Sequence, residues 1–167
     1  MALTVPGLLH YGEMKQLLTI GYEGAPLDDL LRTLQEANVD ILLDIREIPY
    51  SKRKEFCQKA LNEALGKVNI VYRHEQRLGS PKKIRDKIRL DADHQAFRDA
   101  FNQHLKKQDS LLVELSELLS GNVALLCYER NYRQCHRNLV AAALTEITGL
   151  IPQHLVVKPA NKQHDLF

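Results

Sequence analysis

Short apolar runs alternate along this chain with longer segments in which apolar residues recur at helical spacing. Four runs are evident, at residues 17–21, 40–45, 68–72 and 123–127, and a fifth is expected at 154–157. Apolar runs of this length that end at glycine or polar residues are typical of strands buried on both faces. Because helical segments separate them, the pattern predicts one three-layer α/β domain, with a mostly parallel sheet of four or five strands flanked by helices.

Polar residues and glycines divide the predicted helices from the strands. Residues 74–91 show no apolar period and much charge, and they are expected to form the longest irregular loop. No repeat or linker divides the sequence, so we expect an N-terminal extension over 1–16, a single domain over 17–157 and a polar tail over 158–167. Five helices are predicted. The first is closed by Asn38, the second spans 58–65 and stops at Gly66, and the third includes 97–105. The fourth begins at Ser110 and stops at Gly121, and the fifth spans 135–148.

The composition argues against several other classes of protein. Hydrophobic residues make up 44% of the chain and charged residues 26%, values unlike those of disordered, collagen-like or disulfide-scaffold chains. No apolar run approaches the roughly 20 residues of a membrane helix, and residues 1–13 lack the features of a secretory signal. Three cysteines cannot all pair with one another, which favours a reducing, cytoplasmic setting in which they remain thiols.

Positive charge is concentrated in two segments, although the whole chain is nearly neutral. The chain has 23 Lys and Arg residues against 21 Asp and Glu residues. Seven basic and only two acidic residues lie in 73–89, and three arginines against one glutamate lie in 129–137. Local positive charge of this kind predicts an anionic ligand. The alternative interpretation is that these residues are the solvated face of a loop and a helix.

The segments that follow the predicted strands carry most of the unusual polar residues. In an open parallel sheet, ligands bind outside the carboxyl ends of the strands, so these segments are expected to meet at one edge. The residues that this argument brings into one cleft are Tyr22 after the first strand, Asp44, Arg46 and Ser51 after the second, and Cys127, Glu129, Arg130, Cys135, His136 and Arg137 after the fourth.

The segment after the fourth strand is the richest in reactive side chains. Cys135 and His136 stand where a helix is expected to begin, and the free N–H groups there attract anions and lower a thiol pKa. Cys135 is therefore predicted to be the most reactive thiol. Cys127 ends an apolar strand, where a buried core thiol is the alternative to a nucleophile. Asp44 and Arg46 lie on one face of an extended strand, so a structural ion pair is the alternative for them.

A metal site and a phosphatase-type loop are two further interpretations of this segment. Cys127, Cys135 and His136 offer zinc ligands, but their spacing matches no standard zinc motif. Zinc is therefore a minor expectation, and we predict no metal and no other cofactor. Cys127 and Arg133 have the C-x5-R spacing of phosphate-binding loops, but no glycine separates them, and we interpret the spacing as accidental. Isolated histidines such as His94 are interpreted as surface or packing residues.

Four motifs occur in a fixed order along the chain. They are Thr19-Ile20-Gly21-Tyr22, Asp44-x-Arg46-x-x-Pro49-x-Ser51, Leu78-Gly79 and Cys127-x-Glu129-Arg130-x4-Cys135-His136-Arg137. Together they resemble the domain-of-unknown-function 488 family of small prokaryotic proteins, over roughly residues 17–157. The resemblance implies a single α/β domain but no reaction, because the family's activity is not established. Cys57 and the Gly79-Ser80 pair depart from the family pattern, so no role is carried onto Cys57.

The sequence leaves two functions open. In the first, the protein is an enzyme acting on a phosphate-bearing substrate, a nucleotide or nucleic acid. In the alternative, the same edge is a non-catalytic module that binds nucleic acid or a protein partner. Neither involves a membrane. A pocket with acidic groups close to cysteine and arginine indicates the enzyme, whereas an open basic face indicates the binding module.

The enzyme hypothesis assigns a role to each predicted site residue. Asp44 and Glu129 act as general acid or base, and Cys127 or Cys135 acts as nucleophile. The basic segment 73–89 closes over the substrate. The residues predicted to bind the substrate are Tyr22, Arg46, Ser51, Arg130, His136 and Arg137.

Overall fold

The computed structural model describes residues 13–160, so most of the predicted N-terminal extension and of the polar tail lies outside the described residues. The strands and α-helices are β1 (Met14–Gly21), α1 (Leu27–Glu36), β2 (Ile41–Asp44), α2 (Gln58–Lys67), β3 (Val71–His74), α3 (Lys82–Asp91), α4 (His94–Lys106), α5 (Asp109–Leu118), β4 (Gly121–Cys127), α6 (His136–Thr148) and β5 (Gln153–His154). Three-residue 3₁₀ helices lie at Lys54–Phe56, Gln76–Leu78 and Tyr132–Gln134. Within residues 13–160, no helix has the length and apolar character that a membrane span needs.

The strands form one sheet in the order β3-β2-β4-β1-β5, and all of them are parallel. The predicted α/β domain with a parallel sheet of four or five strands is therefore confirmed. β4 pairs with both β1 and β2, so that Gly21 aligns with Cys127 and Asp44 aligns with Leu126. The last residues of β1, β2 and β4 consequently meet at one edge of the sheet, which we call the carboxyl edge.

The two faces of the sheet bury different residues, because side chains alternate along a strand. On one face, Leu18 and Leu42 pack with the leucines of α1 and α2. On the other face, Leu17 and Leu43 pack with Phe101 of α4 and with the apolar residues of α5 and α6. Each fully buried leucine contributes roughly 1.5–3 kcal/mol relative to an exposed one, so both layers of helices are held firmly against the sheet.

β1 and β4 are neighbouring strands whose following helices cover opposite faces of the sheet. α1 follows β1 and packs through Leu30 and Leu34 on the face that carries Leu18. α6 follows β4 and packs through Val140 and Leu144 on the other face. In open α/β sheets such a switch point leaves a crevice at the carboxyl ends of the two strands, where ligands bind. The fold therefore predicts a ligand site at the segment after β4.

The prediction of an irregular loop over residues 74–91 is wrong in part, because residues 82–91 form α3. None of the residues of α3 is buried, so the segment lacks the apolar period by which a helix is recognised in a sequence. Pro81 precedes its first residue, and Lys82 forms an ion pair with Asp86 one turn later. Such pairs stabilise an exposed helix without apolar burial.

Several predicted boundaries are also wrong. α2 continues through Gly66, and β3 begins later than expected because Asn69 turns the chain with a φ of 59°. α5 already includes Ser110, which therefore does not cap it. The strand expected at 154–157 is limited to two paired residues, the second of which is His154. In contrast, Gly149 ends α6 with a φ of 74°, as predicted from the preference of glycine for left-handed helix termini.

We expect alanine at Gly21 and alanine at Gly66 to change stability in opposite directions. A Cβ at Gly21 would lie 1.9 Å from the carbonyl oxygen of Glu129, so Gly21→Ala should lower the free energy of unfolding by about 1–3 kcal/mol. A Cβ at Gly66 meets no atom within 4 Å, so Gly66→Ala in α2 should raise it by about 0.5–1 kcal/mol. Urea unfolding measures both changes, and a Gly21→Ala protein as stable as the parent contradicts the close approach.

Candidate active site

Four side chains that follow β4 form a compact cluster at the carboxyl edge. Cys127 is the last residue of β4, Glu129 lies in the next loop, and Cys135 and His136 begin α6. The loop turns back through the third 3₁₀ helix, where the side chain of Asn131 accepts a backbone hydrogen bond. We call Cys127, Glu129, Cys135 and His136 the thiol cluster.

The imidazole of His136 contacts both sulfur atoms of the thiol cluster. Its Nδ1 is 3.6 Å from Sγ of Cys127 and 3.9 Å from Sγ of Cys135. Its Nε2 donates a 2.9 Å hydrogen bond to the carbonyl oxygen of Ile45, which holds the ring in place. The Cys127 thiol donates to Oε2 of Glu129 at 3.2 Å. Both cysteines are only 4% exposed and His136 is 6% exposed, so these contacts are made away from bulk water.

The two thiols of the cluster differ in how readily they ionise. Burial raises the pKa of the Cys127 thiol well above its ordinary value, and the neighbouring Cys135 adds to the shift. Burial also opposes the ionisation of Cys135. The close approach of the Cys127 thiol and the charge of His136 nevertheless outweigh burial and hold the pKa of Cys135 well below its ordinary value. The cluster therefore favours a thiolate at Cys135 and a protonated thiol at Cys127.

The same thiolate favours the protonated forms of Glu129 and His136. Burial, together with the negative charge of Cys135, raises the pKa of Glu129 to about 7. For His136, burial acts against the charged form, but the attraction of the Cys135 thiolate outweighs it and the pKa of the imidazole is raised. The cluster therefore favours a thiolate–imidazolium pair, beside a carboxyl group whose pKa lies at about 7. Shifted pKa values of this kind are concentrated at active sites.

A small cavity between α4 and the start of α6 reaches the thiol cluster at Cys135. Arg98 comes from α4, and Arg133 comes from the 3₁₀ helix before α6. Their guanidinium groups bond to the neutral side chains of Gln95 and Tyr132, which leaves their positive charge available to an anion. The cavity is lined by His94, Phe97, Arg98, Arg133, Gln134, Cys135, Asn138 and Leu139.

Two predicted site residues, Asp44 and Arg46, form a buried ion pair. Nε and Nη2 of Arg46 donate to the Asp44 carboxylate at 2.8 and 2.6 Å. Nη1 donates to the hydroxyl of Tyr22 and to the carbonyl oxygen of Phe56 at 3.0 and 2.9 Å. The Tyr72 hydroxyl donates to Asp44 at 2.6 Å. Because each nitrogen of this guanidinium has a partner inside the protein, the geometry supports the structural ion pair rather than contact with a substrate.

Arg137, another predicted anion-binding residue, is fully buried at the start of α6. Its Nε donates to Oγ1 of Thr19 at 3.3 Å, and its Nη2 donates to the carbonyl oxygen of Arg130 at 3.1 Å. Its Nη1 donates to the carbonyl oxygen of Glu129. The guanidinium therefore ties α6 to β1 and to the loop after β4, and it is directed away from any ligand in the cavity.

The other predicted binding residues lie at the carboxyl edge without lining the cavity. Tyr22 stacks on Phe56, with ring centroids 4.4 Å apart. Oγ of Ser51 accepts a 3.1 Å hydrogen bond from a backbone N–H two residues along the chain. Arg130 is exposed, and its backbone N–H donates to the carboxylate of Glu23. Of the ten predicted site residues, Cys135 is the one that lines the cavity.

Three residues of the cavity have no individual binding role predicted from the sequence, namely His94, Arg98 and Arg133. His94 and Arg98 lie on α4, and only the packing of α4 against α6 brings them to Cys135. Arg133 is one of the three arginines of segment 129–137, whose positive charge predicts an anionic ligand, but by itself it is considered only for its spacing from Cys127.

Cys127, Cys135 and His136 also present donor atoms of the kind that zinc accepts, all within 4.8 Å of one another. Sγ of Cys127 is 3.6 Å from Nδ1 and 4.0 Å from Nε2 of the ring, so it lies to the side of the direction in which the Nδ1 lone pair points. A metal held by Nδ1 and both sulfurs therefore requires side chains to rotate. The sequence-based expectation that the protein needs no metal stays a prediction.

One of three comparisons with known proteins gives a match. The family model described as "Domain of unknown function DUF488" matches residues 26–144, a span that contains all the residues of the thiol cluster and of the cavity. No curated protein and no solved structure matches the chain.

We expect Asp44→Asn to destabilise the protein strongly. The substitution leaves the guanidinium of Arg46, which is 6% exposed, without its charged partner, and breaking a buried ion pair in this way costs about 3–5 kcal/mol. Chemical denaturation measures the change. The matched control is Asp86→Asn, which breaks the exposed ion pair with Lys82 and should leave the unfolding midpoint unchanged. Equal effects of the two substitutions contradict the structural role of Asp44.

The raised pKa of Glu129 predicts a specific dependence of stability on pH. The folded protein holds the Glu129 proton up to about pH 7, whereas the ordinary pKa is 4.5. The free energy of unfolding should therefore fall as the pH rises through this window, by about 3 kcal/mol for this group.

Glu129→Gln removes this ionisation, so its stability should fall less than that of the parent between pH 4.5 and pH 7. Urea unfolding at intervals of one pH unit, with a reductant and a chelator present, gives the two curves. Glu63→Gln, at an exposed position in α2, should retain the parent curve. If the free energies of unfolding of the parent and Glu129→Gln change in parallel with pH, the pKa of the Glu129 carboxyl group is not raised.

Proposed function

The chain belongs to the DUF488 family, described only as a domain of unknown function, and we propose that it is an enzyme acting on a phosphate-bearing substrate with Cys135 as the nucleophile. One observation carries the proposal: the ionisable thiol of Cys135 lines a cavity that also contains Arg98 and Arg133. A thiol and two guanidinium groups thus share one cavity lining, which supports a nucleophile beside a phosphate-binding site.

The cavity supports a phosphate group better than a neutral ligand. Arg98 and Arg133 supply planar donors that match phosphate oxygens in pairs, and His94 and Asn138 add polar groups. Cys135 is the N-cap of the 13-residue α6, where unpaired N–H groups and the helix dipole favour negative charge. The enclosed part of the cavity measures about 20 Å³, which is room for about one water molecule. A phosphate group therefore binds at the mouth of the cavity, with the rest of a nucleotide or nucleic acid outside.

The first step is attack by the Cys135 thiolate on phosphorus. A sulfur–phosphorus bond forms, the bond from phosphorus to the leaving oxygen breaks, and the leaving oxygen takes a proton from water at the mouth of the cavity. Water then attacks phosphorus and passes a proton to solvent, the sulfur–phosphorus bond breaks, and phosphate and the Cys135 thiolate are released. His136 lies behind Cys135 and outside the cavity lining, where its role is to stabilise the thiolate. Arg98 and Arg133 stabilise the charge that builds on the phosphate oxygens in both steps.

Glu129 rather than Asp44 is the carboxyl group that takes part in proton exchange. The Glu129 carboxyl contacts the thiol of Cys127 at 3.2 Å and has a pKa of about 7, so both of its forms are populated at neutral pH. Asp44 instead accepts hydrogen bonds from Arg46 and Tyr72, which commit its carboxylate to the buried ion pair. We place this reaction in the cytoplasm, where thiols such as Cys135 stay reduced.

Cys135→Ser and substitutions of the cavity arginines test the proposal. The assay follows release of phosphate from p-nitrophenyl phosphate and from nucleoside monophosphates. Cys135→Ser should lower kcat/KM at least about 100-fold, because serine lacks a comparably ionisable nucleophile. Arg98→Ala and Arg133→Ala should each raise KM about tenfold, the effect of removing one hydrogen bond to a charged group. Lys59→Ala, at an exposed position of α2, is the control that removes a positive charge outside the predicted site, and it should behave as the parent does.

The outcomes separate the enzyme from the binding module. Full activity in Cys135→Ser overturns the assignment of the nucleophile. If the parent hydrolyses none of the substrates but Arg98→Ala and Arg133→Ala weaken phosphate binding in a thermal-shift measurement, the binding module is favoured. If neither hydrolysis nor binding is found, the phosphate hypothesis fails.

A further inference from the structure

Cys127 is a buried thiol that the proposed reaction does not use. It is 4% exposed at the end of β4, and its sulfur lies within 4.8 Å of the sulfur of Cys135. The third cysteine, Cys57, lies apart from the pair and contacts the backbone of Ser51. The chain therefore places two of its three thiols side by side and keeps the third away from them.

We propose that Cys127 and Cys135 form a redox-active pair that closes to an intrachain disulfide by exchange with a small disulfide such as oxidised glutathione. The inference uses the same cysteine as the proposed function but does not depend on any reaction with phosphate. Disulfides in a reducing compartment are transient and take part in catalysis or redox sensing, and a reversible pair of this kind meets that description.

The first step of the exchange takes place at the cavity. The Cys135 thiolate attacks one sulfur of oxidised glutathione, a mixed disulfide forms on Cys135, and one glutathione thiolate leaves. Cys135 is the member of the pair that lines the cavity. Arg98 and Arg133 in the same lining attract the carboxylates of glutathione. The cavity thus determines which of the two thiols reacts first.

The second step uses the contact between Cys127 and Glu129. The Cys127 thiol passes its proton to the Glu129 carboxylate, whose Oε2 lies 3.2 Å from Sγ. Its sulfur then attacks the Cys135 sulfur of the mixed disulfide. The Cys127–Cys135 bond forms and the second glutathione leaves as a thiolate. In the whole sequence the two cysteines lose two electrons, and one glutathione disulfide gains them and becomes two glutathione molecules.

The loop before Cys135 allows the two sulfur atoms to approach. A disulfide has a sulfur–sulfur distance of about 2.05 Å, so the gap of up to 4.8 Å must close by side-chain rotation and a small shift of the loop. None of the residues in the 3₁₀ helix Tyr132–Gln134 is buried, so a shift of this helix does not open the core. Such a shift moves Tyr132 along the ring of His154, on which it stacks with ring centroids 3.6 Å apart. Cys127, by contrast, is fixed by the pairing of β4 with β1 and β2.

The closed pair also has a consequence for the proposed reaction. The bond to Cys127 removes the thiolate of Cys135, so the oxidised protein has no nucleophile for phosphorus. Reduction by glutathione restores it. The oxidised protein should therefore lose its phosphate-releasing activity and regain it on reduction, if the proposed function holds.

The count of free thiols tests the inference on the full chain. The reduced protein is incubated in glutathione buffers of increasing oxidised fraction, quenched with acid and alkylated, and the product is mapped by mass spectrometry. Free thiols should fall from three to one, and the remaining alkylated residue should be Cys57. No glutathione should stay attached. The readout needs no substrate, so its result stands apart from the success or failure of the phosphate assay.

Single substitutions check the order of the two steps. Cys127→Ser should stop at the mixed disulfide, with one glutathione on Cys135. Cys135→Ser should keep both remaining thiols free. Cys57→Ser, the matched control, should form the disulfide as readily as the parent.

Three results of the parent measurement overturn the inference. In one, all three thiols stay free. In another, glutathione accumulates on Cys135 while Cys127 stays a thiol. In the third, the purified chain holds one zinc ion that keeps Cys127 and Cys135 from oxidising. Because these results come from the parent protein, the inference remains testable even where a serine variant fails to fold.

Discussion

The fully buried guanidinium of Arg137 is the contact on which the arrangement of the candidate site depends. From the first turn of α6 it donates to the carbonyl oxygens of Glu129 and Arg130 and to the hydroxyl of Thr19 on β1. It therefore connects α6 and the loop that carries Glu129 to β1, the strand that pairs with β4 beside Cys127. Removing a buried charge from carbonyl partners of this kind leaves them unsatisfied, which is costly inside a protein. Arg137 thus acts on the chemistry through the shape of the loop.

The arginines of the carboxyl edge divide into two groups according to their partners. Arg46 and Arg137 are buried and bonded to protein acceptors, because a charge removed from water must find partners within the chain. Arg98 and Arg133 keep access to solvent and bond only to neutral side chains. Residue type alone does not separate the two groups. Burial separates the two groups: the buried arginines hold the site together, and the arginines that reach solvent have a charge that is open to a ligand.

The sequence predicts the sheet better than it predicts the lining of the cavity. Apolar runs such as 123–127 report burial directly, and the polar residues after them reach one edge because the strands are parallel. No apolar pattern in the sequence indicates α3, because none of its residues is buried. His94 and Arg98 are also hidden, since their position depends on how α4 packs on α6 and not on any local pattern. Asp44 and Arg46 are predicted at the right place, but only their hydrogen bonds distinguish an ion pair from a binding site.

The opposite behaviour of the two thiols follows from the small amount of water around them. A dry cluster holds one negative charge more easily than two, because like charges repel strongly where solvent does not screen them. His136 and the start of α6 favour that charge on Cys135. The pKa values of Cys127 and Glu129 are raised as a result, so both of these groups favour their protonated forms. The sulfur that faces the cavity is consequently the one ready to attack, and the sulfur behind it becomes reactive only after the first has formed a bond and lost its charge. A single asymmetry of charge therefore underlies both proposals, a nucleophile directed at an anionic substrate and a fixed order of steps in a dithiol exchange.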